Sequence, residues 1–152
     1  MRWFLGFAVA LCLVFSLDER LPENHLYAQG SNGIAVDNGF KISQVATDKI
    51  ASNIFCMAVD PDGRVFVSGP GYIKVLVDSD GDGIFEKATL FSGRLRSGAQ
   101  GMAFDGTEIL CTGDGGVWKF SDVDRDGVAD ALPEKMLAIK TGGEHDAHAI
   151  RK

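Results

Sequence analysis

From Met57 onward the apolar positions fall in short runs of four to six residues between turn-forming clusters, with no 3.6-residue period. Met57 to Asp60 is the first run. Pro61-Asp62-Gly63 is a turn by composition. Arg64 to Ser68, rich in β-branched and aromatic side chains, is the second run, and Gly69-Pro70-Gly71 turns again. Tyr72 to Val77 is the third run. An aspartate loop follows, and then a fourth run near Lys87 to Phe91. The pattern predicts four short strands and excludes an all-helical solenoid.

The pattern is then written again. Cys56-Met57-Ala58-Val59-Asp60 recurs as Gly101-Met102-Ala103-Phe104-Asp105, an offset of 45. After a one-residue deletion the offset is 44, and Val65 to Gly69 matches Ile109 to Gly113. Ile73 to Val77 matches Val117 to Ser121, and Asp78 to Gly83 matches Asp122 to Gly127. His148-Ala149-Ile150 falls where a third copy would begin. Four strands in about 45 residues is the period of a propeller blade. The expected fold class is therefore all-β. It is a partial β-propeller of about two four-stranded blades, residues 54–98 and 99–144, plus the first strand of a third from about 145. A propeller needs at least four blades. The expectation is thus a domain over 39–152 that forms the N-terminal fragment of a longer protein and lacks its C-terminal blades. A two-repeat β domain closed by oligomerisation is the alternative.

The N-terminus reads as an export signal over residues 1–28, followed by a linker over 29–38. Arg2 precedes an apolar stretch from Trp3 to Leu17, too short for a membrane-spanning helix of about 20 residues. Leu26-Tyr27-Ala28 offers a cleavage site, although Asp18-Glu19-Arg20 before it is atypical. An uncleaved N-terminus would instead associate the chain with a membrane. Leu11-Cys12 lacks the small residue a lipoprotein signal needs. The chain is expected to be periplasmic or extracellular. Cys56 and Cys111 remain in the mature part, at non-equivalent repeat positions, and read as buried free thiols. The 19 glycines suit tight β connections, and the net charge of -6 carries no basic patch, which argues against nucleic acid.

Much of that negative charge sits in two loops. Asp78, Asp80 and Asp82 alternate before Gly83, and Asp122, Asp124 and Asp126 alternate before Gly127. Alternate spacing lets three carboxylates converge on one cation, and the glycine permits the sharp turn. The carbonyls of Ile84 and Val128 are the next candidate ligands, and Glu86 and Asp130 stand at the ninth position. The twelfth is Thr89 or Pro133, so neither loop has the bidentate glutamate of an EF-hand. Hard oxygen ligands point to structural Ca²⁺. The plainer reading is a pair of Asp/Gly turns without metal.

Glu144-His145-Asp146-Ala147-His148 is the other dense constellation. His145 precedes the third copy's first strand, where a propeller's central channel opens, and a neutral imidazole there suits proton transfer. A polar loop without catalytic function is the alternative. A zinc site is disfavoured, since strand-like i, i+3 spacing puts His145 and His148 on opposite faces.

Gly39-Phe40-Lys41-Ile42, Met57 to Val67, the aspartate loops and Gly143 to His148, taken in order, resemble the N-terminal part of the membrane-bound dehydrogenases of planctomycetes and related bacteria. Those are similar to the glucose/sorbosone dehydrogenase propellers that use pyrroloquinoline quinone (PQQ). The resemblance covers residues 38–152. It implies oxidation of a sugar or alcohol, with PQQ as cofactor and His145 taking the substrate hydroxyl proton. The cofactor's own ligands would lie on later blades. Two other readings stand beside it: a calcium-stabilised propeller that binds glycan or protein without catalysis, and an inactive truncated remnant.

Overall fold

The computed structural model describes residues 12–15, 28–29, 34–37, 39–140 and 150. All of its regular structure is β, and no helix occurs among the described residues. Two four-stranded antiparallel sheets dominate. Sheet 1 runs β5 (Cys56–Val59), β6 (Val65–Gly69), β7 (Tyr72–Val77) and β8 (Lys87–Ser92), neighbours in that order. Sheet 2 repeats the meander with β9 (Gly101–Asp105), β10 (Glu108–Gly113), β11 (Gly116–Ser121) and β12 (Glu134–Ala138). Four short strands precede them: β1 (Cys12–Phe15), β2 (Ala28–Gln29), β3 (Ala35–Val36) and β4 (Phe40–Ser43).

The repeat expected from sequence is present at the level of register. In sheet 1 the β7–β8 pairing shifts between Ile73 and Lys74; in sheet 2 the β11–β12 pairing shifts between Val117 and Trp118. These positions are 44 residues apart, the offset of the sequence match. A local irregularity kept in both copies marks one strand arrangement written twice.

Alternation along each strand decides how the sheets stack. On one face of sheet 1 lie Phe66, Ile73 and Val75, in a buried cluster with Ile109, Cys111 and Phe120 of sheet 2. The other face carries Val65, Val67 and Leu76, buried with Val45, Ala46, Ala51 and Phe85. Val65 and Val67 are the repeat equivalents of Ile109 and Cys111. Sheet 2 therefore presents to sheet 1 the same face that sheet 1 presents to the segment around Val45–Ala51. The stacking is head to tail, with β5 beside β9, and residues 45–51 occupy the place a preceding sheet would take.

The link between the sheets is held by close backbone approach. Gly98 has φ +77°, and a Cβ there would lie 2.1 Å from the Gly69 carbonyl oxygen. Only glycine fits. Next to it the Ala99 N–H donates to the buried Ser68 hydroxyl at 2.7 Å, which itself donates to the Tyr72 carbonyl at 2.8 Å. The Cys56 thiol donates to the Ala99 carbonyl at 3.2 Å.

Strand limits differ by a residue from the apolar runs, except that Tyr72–Val77 coincides. None of β1 to β4 is among the strands the sequence pattern predicts. β1, inside the apolar stretch read as an export signal, pairs antiparallel with β4, Cys12 opposite Ser43 and Phe15 opposite Phe40. A short apolar run satisfies both patterns, so periodicity does not separate them. The expected start of the third repeat and His145 lie outside the described residues.

Candidate metal centres

Both aspartate loops connect the third strand of a sheet to its fourth. The backbone shapes them alike. Gly81 and Gly83 have φ of +79° and +87°; Arg125 and Gly127, 44 residues on, have +60° and +82°. A non-glycine residue in this region carries strain of order 1 kcal/mol, so the conformation of Arg125 is imposed by its surroundings. Three hydrogen bonds recur. Ser79 N–H donates to Glu86 and Val123 N–H to Asp130, both at 2.7 Å. Asp82 and Asp126 N–H donate to Asp80 and Asp124 at 3.3 Å. Ile84 and Val128 N–H donate to Asp82 and Asp126 at 2.7 Å.

The carboxylates converge. One oxygen each from Asp78, Asp80, Asp82 and Glu86 lies within 4.8 Å of the others, and the same holds for Asp122, Asp124 and Asp126. Either group could hold a metal ion. Asp130 stands outside the second group, its carboxylate accepting from Val123 N–H. Ile84 and Val128 are half-exposed and engaged through their N–H groups.

The first aspartates differ. In loop 1 the Asp78 carboxylate accepts from Gly81 N–H at 2.7 Å and from Gly83 N–H at 2.8 Å. The Gly83 bond leads in holding its pKa below the ordinary value, against a smaller opposing effect of desolvation. In loop 2 Asp122 is 2% exposed. Its Oδ2 accepts from Arg64 Nη2 at 2.9 Å. Its Oδ1 is buried with no hydrogen-bond partner in the protein. An uncompensated buried carboxylate oxygen costs about 1–3 kcal/mol or more, and a cation shared with Asp124 and Asp126 removes that cost. Loop 2 therefore suits a metal ion more sharply than loop 1 does.

Arg64 is the residue the sequence reading missed. It also donates through Nε to Asp60 Oδ2 at 2.7 Å and through Nη1 to the Arg125 carbonyl at 2.9 Å. Arg125 in turn pairs with Asp62. Its pairing with Asp60 is local, but the tie to the aspartate loop is not, because Asp122 is 58 residues away.

Neither thiol forms a disulfide, and both pack in or against the core between the sheets. Cys56 is half-buried and Cys111 buried, both unpaired. Burial pushes the Cys56 pKa up to about 11. Burial, and secondarily the neighbouring Cys56, pushes Cys111 higher still.

Residues 28–150 match the protein family described as domain of unknown function DUF7133. No curated protein and no solved structure matches the chain.

Proposed function

The chain belongs to the DUF7133 family, and we propose that it forms the first blades of an exported β-propeller whose strand connections are pinned by calcium. The metal is supported by Asp122, which groups with Asp124 and Asp126 and whose Oδ1 is buried and unpartnered. An all-oxygen, carboxylate-rich donor set in an adaptable loop suits Ca²⁺ over softer metals. Head-to-tail stacking of two identical meanders with adjacent inner strands supports the propeller. The ion's work is structural: it neutralises clustered carboxylates that otherwise repel and fixes the β7–β8 and β11–β12 turns.

Calorimetric titration with CaCl₂ tests this. Two sites of order 0.1–1 mM are expected, as in extracellular modules, with 10 mM CaCl₂ adding about 1.4–2.7 kcal/mol per site to stability. Absence of both heat and thermal shift at that concentration overturns the metal reading.

The order of motifs supports a more specific reading: an exported PQQ-dependent oxidoreductase acting on a sugar or alcohol. His145 would accept the substrate hydroxyl proton; PQQ would supply the hydride acceptor. No described residue is assigned to the cofactor. Dye reduction during PQQ titration of a longer chain that carries the later blades, across a panel of sugars and alcohols, separates this enzyme from a propeller that only binds glycan or protein. Circular dichroism with and without calcium separates both from a remnant that does not fold.

A further inference from the structure

We infer that the two calcium loops are unequal: loop 2 is a lock between the two sheets whose ion affinity depends on Arg64, whereas loop 1 fills independently. This rests on the calcium reading above. In loop 1 the loop's own backbone orients the first ligand, since Gly81 and Gly83 donate to Asp78. In loop 2 a guanidinium from the other sheet performs that task. One planar fork reaches Asp60 in the β5–β6 turn, Asp122 at the start of loop 2 and the Arg125 carbonyl at its crest. By occupying Asp122 Oδ2 it leaves Oδ1 for the ion. Arg64 is thus a positioning residue, acting through Asp122.

Two further ties join loop 2 to sheet 1. Arg125 pairs with Asp62, and Ala129 N–H donates to the Phe91 carbonyl of β8 at 3.0 Å. Fixing loop 2 with an ion therefore also fixes its docking on sheet 1, and docked sheets favour the ion by the same factor. The positive charge of Arg64 opposes a nearby cation. Asp60, bonded to the same guanidinium at 2.7 Å, offsets that charge, so positioning outweighs repulsion.

The test is calcium calorimetry on wild type, Arg64→Gln and Arg64→Lys, with Asp80→Asn and Asp124→Asn used to assign the two sites. Arg64→Gln is expected to weaken the loop 2 site about tenfold and to leave loop 1 unchanged. Arg64→Lys recovers part of the loss. Hydrogen exchange adds a readout that a merely structural role would not move. Calcium slows exchange across 60–64 and 122–130 together in wild type, but not in Arg64→Gln. Asp62→Asn, which removes only an exposed tie, weakens loop 2 selectively by a smaller factor and carries the test if Arg64→Gln fails to fold. Equal or tighter binding at loop 2 in Arg64→Gln, or equal weakening of both loops, overturns the inference. Absence of calcium binding in wild type overturns the calcium reading itself, a different result.

Discussion

Phe66 of β6 and Phe104 of β9 meet edge to face, ring centroids 4.9 Å apart and planes at 67°, across the junction of the two sheets. Phe91 packs on Phe66 at 5.4 Å and on Phe120 at 5.9 Å, again edge to face. Four rings therefore form a continuous chain through the head-to-tail interface. Phe66 is fully buried, so these rings pack the two repeats against each other through one shared core.

Phe66→Ala removes the link at its centre. The expected loss is about 3–5 kcal/mol, a large part of the 5–15 kcal/mol typical of a domain. Urea unfolding should show a lower midpoint with an unchanged slope, the same by fluorescence and by circular dichroism. A loss under about 1 kcal/mol would show that the two sheets do not share this core.

The strands were legible because their signal is local. Tyr72–Val77 is bounded by Gly69-Pro70-Gly71 and the aspartate loop, and its limits coincide with β7. The loops were legible for the same reason: alternate carboxylates and a glycine define the turn whatever surrounds it. What could not be read depends on partners far along the chain. The register shifts at Ile73/Lys74 and Val117/Trp118 are properties of pairing, not of either strand alone. The cover that Val45, Ala46 and Ala51 give sheet 1 comes from a segment without periodic pattern. Arg64 looked like any charged residue at the end of a turn, until the fold brought Asp122 to it.

Gly98 offers a test of the connection between repeats. Its φ is +77°, and a methyl group would meet the Gly69 carbonyl oxygen, a backbone atom that cannot swing aside. Gly98→Ala is expected to cost about 2–4 kcal/mol, combining backbone strain with overpacking. Gly63→Ala has a similar φ of +87° with open space around it, so it carries the backbone cost alone, about 1 kcal/mol. Thermal melting of both variants checks the difference; equal shifts would remove the steric argument.

Cys56 and Cys111 should resist thiol reagents while the chain is folded. With the Cys56 pKa at about 11, roughly one thiolate in a thousand exists at pH 8. Cys111 is buried and less acidic still. Labelling with a chromogenic disulfide at pH 8 is expected to be slow without denaturant and to release colour from both thiols quickly in urea. Fast native labelling would place the β5–β9 junction in solvent.

Acid should weaken the fold through carboxylates held by backbone donors. Burial alone would raise the Asp114 pKa. Its bonds from the Ser97 hydroxyl and the N–H groups of Ser97 and Arg96, with the charge of Arg96, hold it below the ordinary value. Asp78 is lowered likewise, led by Gly83 N–H. For groups depressed in the folded state, the stabilisation is complete above the unfolded pKa, about 3.9 for Asp. It is lost as pH falls through the folded value. The window therefore opens near pH 4 and extends below it, and stability between pH 5 and 7 should not respond to these groups. Asp114→Asn keeps a side chain that tolerates the local φ of +42° but removes the titrating charge. Urea midpoints measured from pH 7 to pH 2 without calcium should start lower for Asp114→Asn and fall less steeply below pH 4. Parallel curves would mean that this carboxylate is not a source of the acid sensitivity.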